Sequence, residues 1–109
     1  MKVENFYNLN QFRLYGKGEN NLQSYNSLVV ITKWDEQGRD IIILGRDWDY
    51  SRTTSKHVYM FLEEYTKINF YGVANKRQYI NKLIDRCNEN EEQFYNENGY
   101  IIKYDENVR

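Results

Sequence analysis

The sequence predicts an α+β fold: an antiparallel sheet of three to four strands in a meander, with two or three helices packed on one face. Three observations carry this expectation. Alternating and β-branched apolar segments fill the chain up to Gly45. After Trp48 the apolar period lengthens from two residues to nearly four. Short Gly- and Asn-containing breaks, rather than long linkers, separate the segments. Strands in series followed by helices are the pattern of a sheet covered by helices. A chain of 109 residues supports one modest core, so a single domain over 1–109 is expected.

The elements follow in order. "MKVENFYNLN" reads as a loosely ordered arm over 1–9 or a short turn of helix, with Phe6, Tyr7 and Leu9 as its anchors. In "QFRLYG", Phe12 and Leu14 alternate with Arg13 and Tyr15, a short strand with one face toward a core. Gly16 to Asn21 reads as a polar turn. "LQSYNSLVVITKW" follows, and its run Val29, Val30, Ile31, Thr32 is the strongest strand signal. "DEQGRD" is a hairpin connection, with Gly38 where a positive φ is needed, and Ile41 to Gly45 is the return strand.

Val58, Phe61, Leu62 and Tyr65 then fall on one face of a helix. Ser51, Thr53, Thr54 and Ser55 stand before or at its start, where hydroxyls cap free backbone N–H groups. A second helix starts at Asn75, with Gln78 three residues on, and buries Tyr79, Ile80, Leu83, Ile84 and Cys87. "NENEEQFYNEN" is either a frayed continuation or a short third helix carrying Phe94 and Tyr95. Asn98-Gly99 marks a turn, and "YIIKY" is expected to return as a strand on the sheet edge.

Composition narrows the chemistry. There is no proline, and eleven tyrosines stand out; a tyrosine ring suits both the margin of a thin core and an interface. Residues 1–84 carry 12 basic and 9 acidic side chains, residues 85–109 carry 3 and 7, so the tail section is acidic. No dominant basic stripe marks a nucleic-acid binder. The one cysteine, Cys87, permits no intramolecular disulfide and falls on an apolar stripe. The longest apolar runs are far short of a membrane span, no signal segment follows Met1, and a soluble cytoplasmic protein is expected.

"GRDWDYSRTTSKHVYMFL", Gly45 to Leu62, concentrates polar chemistry. Asp47, Asp49 and His57 supply carboxylate and imidazole groups, but their spacing matches no metal-ligand signature. No phosphate-binding glycine loop and no nucleophile elbow is present. An enzyme is therefore not expected, nor a metal or other cofactor, and a metal-dependent hydrolase using Asp47, Asp49 and His57 is a distant third reading. Trp48, Tyr50 and Arg52 have the chemistry of interface anchors, with Lys56 and His57 beside them. Glu89, Glu91, Glu92 and Glu97 form a second candidate surface, acidic enough to mimic phosphates. Arg46, Arg52, Lys56, Lys76 and Arg77 offer an alternative, a nucleic-acid-binding corner in which Asp47 and Asp49 would repel phosphates.

"SYNSLVV", Ser24 to Val30, followed by "ILGRDWDYSRTTSKHVYMFL", Ile43 to Leu62, resembles a pattern found in small phage and mobile-element proteins of Firmicutes that have no assigned activity. The matching positions are Ser24, Tyr25, Ser27, Trp48, Asp49, Tyr50, Ser51, Thr53, Thr54, Lys56, His57, Phe61 and Leu62. The resemblance implies a context, a short accessory gene whose product binds a host protein, such as a defence nuclease or CRISPR effector. It implies no catalytic residue.

Overall fold

The computed structural model describes residues 1–7 and 10–109. Its order is β1 (Lys2–Asn5), β2 (Gln11–Gly16), β3 (Glu19–Ser24), β4 (Ser27–Trp34), β5 (Asp40–Gly45), α1 (Arg52–Tyr65), α2 (Lys76–Glu89), α3 (Glu91–Asn98) and β6 (Ile101–Asp105). The α+β class holds, but the sheet has six strands rather than three to four, and it is mixed. Strands β1 to β5 form an antiparallel meander in chain order, and β6 pairs parallel to β5. A parallel neighbour needs a crossover of a dozen or more residues, which the three helices provide.

Two strands depart from the sequence reading for a shared reason. The start of the chain is an edge strand, not an arm: Lys2 to Asn5 pairs with Tyr15 to Phe12. Phe6 behind it is buried against Phe61 and Tyr65, whereas Leu9 lies outside the described residues. Glu19 to Ser24 is likewise a strand, and the polar turn shrinks to Lys17-Gly18. Glu, Asn and Gln have low strand propensity, but ladder partners on both sides, β2 and β4, override it.

Strand β4 carries one extra residue. Leu22 opposes Val30 while the next residue, Gln23, opposes Leu28, so Val29 is bulged. The bulge turns Val29 and Val30 to the same side, and both are fully buried. They join Leu22, Ile42, Leu44 and Ile102 beneath Val58, Phe61 and Leu62 of α1 and Ile80, Leu83 and Cys87 of α2. Asn90 closes α2 and caps α3, its side chain accepting from the backbone N–H of Gln93 at 3.1 Å. The acidic stretch is therefore a third helix rather than a continuation. Gly99 ends it at φ 81°, in the left-handed region where glycine avoids a Cβ clash. Among the described residues, no helix is long and apolar enough to cross a membrane.

Candidate functional site

The corner between β5 and α1 is built by two tight turns. The Trp48 backbone N–H reaches the Gly45 carbonyl at 3.2 Å and the Tyr50 N–H reaches the Asp47 carbonyl at 3.1 Å. Ser51 then caps α1, its Oγ accepting from the Thr54 N–H at 3.1 Å. This geometry sorts the candidate residues. Trp48 faces inward, 3% exposed and edge-to-face with Tyr59, so the expectation that it anchors a surface is corrected. The indole is the largest apolar group at the corner, and burying it closes that end of the core. Tyr50 goes the other way, 81% exposed.

His57 also leaves the surface. Its ring is buried beside Phe6, and Nδ1 lies 2.8 Å from the Thr53 carbonyl, so Nδ1 carries the proton and donates. Arg52 and Lys56 remain exposed on α1. Asp47 accepts from Arg46 and from Ser27 Oγ at 2.8 Å, and these bonds hold its carboxyl below the usual range despite partial burial. Asp49 pairs with Arg77 of α2 at 2.9 Å, not with the nearby Arg52 or Lys56. Among the described residues, no three His, Cys, Asp or Glu side chains gather in a group suited to a metal ion.

A second, sequence-distant segment meets this corner. The β3–β4 hairpin connects Ser24 to Ser27 through Tyr25 and Asn26, with Tyr25 held at φ 54°. A left-handed non-glycine residue costs on the order of 1–2 kcal/mol, and such positions recur at ligand sites. Ser24 Oγ accepts from Gln11 Nε2 at 2.8 Å and bonds Thr54 Oγ1 at 2.9 Å, and Thr54 Oγ1 in turn accepts from Ser51 Oγ at 3.2 Å. This buried chain of hydroxyls ties the hairpin to the start of α1. Above it opens a pocket of about 540 Å³, walled by Ser24, Ser27, Asp47, Ser51, Thr53 and Thr54, with the exposed rings of Tyr25 and Tyr50 also in its lining. The sequence reading bet on Tyr50 but not on Ser24, Tyr25 or Ser27. Their signal was present, because they form the first half of the pattern whose second half supplies Tyr50 to Thr54.

On the other side of Tyr50 and Ser51 lies a groove of about 1050 Å³ between the starts of α1 and α2, lined by Arg52, Lys56, Lys76 and Arg77. Arg46 stands apart from it, on Asp47. The acidic candidates are partly neutralised. Glu91 is held by Lys103 at 2.6 Å and Arg39 at 3.3 Å, and the Lys103 bond leads in lowering its pKa. Glu97 lies 3.8 Å from Arg86 and accepts from Gln93, which leaves Glu89 and Glu92 as the carboxylates of the group with no ion pair among the described residues.

Fold and site together define a small α+β protein with a concave, hydroxyl- and tyrosine-lined corner. The chain belongs to a family of unknown function (DUF8033), whose model matches residues 1–78, a span that contains the whole corner and ends inside α2. No curated protein and no solved structure matches it.

Proposed function

We propose that this chain is a non-enzymatic accessory protein of a phage or mobile element that acts by binding a host protein, and that the Tyr25–Tyr50 pocket is the contact. The narrower form of the reading is inhibition of a host defence nuclease such as a CRISPR effector. One observation carries the binding site: two segments separate in sequence, Ser24 to Ser27 and Asp47 to Thr54, line one pocket. The lining has the chemistry of a recognition surface. Tyrosine supplies rigid contact area at low entropic cost, and Ser and Thr supply adaptable hydrogen bonds. The hydroxyls beneath are bonded to one another and His57 to a backbone carbonyl, which suits a scaffold better than a nucleophile and its base. Phage and mobile-element context is supported by the resemblance of the Ser24–Val30 and Ile43–Leu62 pattern.

The test is affinity isolation from nuclease-treated host lysate with four baits. Wild type and Tyr71→Ala, altered at an exposed ring outside the pocket, are expected to retain one and the same host protein. Tyr25→Ala and Asp47→Asn are expected to lose it. Identical retention by all four baits, or by none, refutes the pocket as the contact.

A further inference from the structure

The groove between α1 and α2 brings together cations that are far apart in sequence and that the pocket reading does not use. Arg52 and Lys56 come from the start of α1, Lys76 and Arg77 from the start of α2, and Asp49 is the one carboxylate in the lining. That carboxylate is already engaged by Arg77 through Nε and a terminal nitrogen, each at 2.9 Å. Arg52 and Lys56 have no ion-pair partner among the described residues. The positive ends of both helix dipoles sit on the same groove, and neither first turn contains an acidic residue. Cations at helix N-termini are placed against the dipole. The folded chain therefore collects repelling positive charge at this point, offset at Arg77 by Asp49 and at Lys76 by the Tyr59 and Phe70 rings but not at Arg52 and Lys56 by any ion pair among the described residues. An anion in the groove would relieve that repulsion, accept from backbone N–H groups of the first turns, and pair with the free side chains.

Aromatic surface is interleaved with the charge. Tyr50 stands exposed at the rim, and the Lys76 ammonium lies 5.7 Å from the Tyr59 ring. A positive groove with an accessible ring at its rim is the arrangement that tracks a phosphate backbone while a base stacks. A duplex, whose bases are already stacked inside, has no use for the rings.

We infer that the α1–α2 groove binds single-stranded nucleic acid, with Arg52, Lys56 and Lys76 contacting phosphates and Tyr50 stacking a base. This inference shares Tyr50 with the host-protein reading but not that reading's diagnostic residues, Tyr25 and Asp47, so either can fail without the other.

Fluorescence anisotropy of a labelled oligothymidylate over a range of salt concentrations tests it. Wild type binds at low salt and weakens as salt rises. Arg52→Ala/Lys56→Ala lowers the slope of log affinity against log salt by about 1.4, at about 0.7 per phosphate contact on a single strand. Tyr50→Ala weakens binding about tenfold, within the range measured for loss of one stacked base. Lys33→Ala, an exposed cation at the far end of β4, leaves both quantities unchanged. All four positions are solvent-exposed, and unchanged circular dichroism checks that each variant is folded. Three outcomes each overturn the inference: no anisotropy change at low salt, duplex binding as tight as single-strand binding with no effect of Tyr50→Ala, or displacement by polyglutamate as effective as displacement by unlabelled oligonucleotide. The last would reassign the groove to an acidic peptide.

Discussion

Replacing Ser24 by alanine removes one oxygen from the buried chain that joins the β3–β4 hairpin to α1. That oxygen accepts from Gln11 Nε2 at 2.8 Å and bonds Thr54 Oγ1 at 2.9 Å. Thr54 Oγ1 also accepts from Ser51, and either hydroxyl can supply the proton of the Ser24–Thr54 bond. The substitution therefore takes a partner from two buried groups, the Gln11 amide donor and the Thr54 hydroxyl, on residues that are 0% and 2% exposed. Gln11 has no reserve, since its Oε1 is already without a partner among the described residues. A buried unsatisfied donor costs about 1–3 kcal/mol, so Ser24→Ala is expected to lose about 3 kcal/mol. Against a typical domain stability on the order of 5–15 kcal/mol this is a large share. Urea unfolding followed by tyrosine and tryptophan fluorescence measures it, as a fall in midpoint at unchanged slope. In a Gln11→Leu background the amide is gone, and Ser24→Ala is expected to cost about 1.5 kcal/mol, a coupling of similar size. A loss below about 0.5 kcal/mol, equal in both backgrounds, would show that the hydroxyl chain does not hold the corner together.

Four further outcomes are expected. Trp48→Ala should cost about 3–5 kcal/mol in a thermal or urea melt and Tyr50→Ala within about 0.5 kcal/mol; the reverse ranking would refute their assignment to core and surface. Gly45→Ala places a Cβ 2.5 Å from the Leu28 carbonyl and 2.7 Å from the Val108 carbonyl, both backbone atoms. It should destabilise by about 1–3 kcal/mol and expose the C-terminal turn to proteolysis, and an unaffected melt would contradict the close approach. Asp47 and Glu91 have folded-state pKa values below their ordinary ones. Their contribution is therefore present at neutral pH and is lost as pH falls through those depressed values, so Glu91→Gln should weaken the protein at pH 7 and converge with wild type in acid. Burial raises the Tyr100 hydroxyl to about 12 from 10.0, so stability should fall as pH rises from 10.0 toward that value. Tyr100→Phe should flatten this alkaline limb, and identical limbs in both proteins would refute the buried phenol.

Local signals in the chain carried some of these results and not others. Helix α1 was legible from Val58, Phe61, Leu62 and Tyr65, and the N-cap of α2 from Asn75 and Gln78, because a helix closes its bonds within a few residues. Tyr79 to Cys87 gave the buried stripe of α2 for the same reason. Strand β1 and the first half of β3 were not legible, since Lys2–Asn5 and residues 19–21 have no apolar alternation of their own and exist only by pairing with neighbours. A turn at Tyr25-Asn26 was equally hidden inside what read as one long strand, because its backbone is stabilised by Asn10 and by the serines that face each other across it.

At the site the division runs the same way. Residue types at the corner were set by the sequence: tyrosines, hydroxyls, carboxylates and five cations, with no metal-binding or nucleophile motif among them. Which of them face solvent was decided by the tertiary structure, which buries Trp48 and His57, leaves Tyr25 and Tyr50 out, and clamps Glu91 between Lys103 and Arg39. The same packing sets Ser24–Ser27 against Asp47–Thr54 and Arg52 and Lys56 against Lys76 and Arg77. Capping and helical periodicity depend on neighbours three and four positions away, so they can be read along the chain. A pocket or a groove depends on which distant segments the core draws together, and that is determined only when the sheet and helices close on one another.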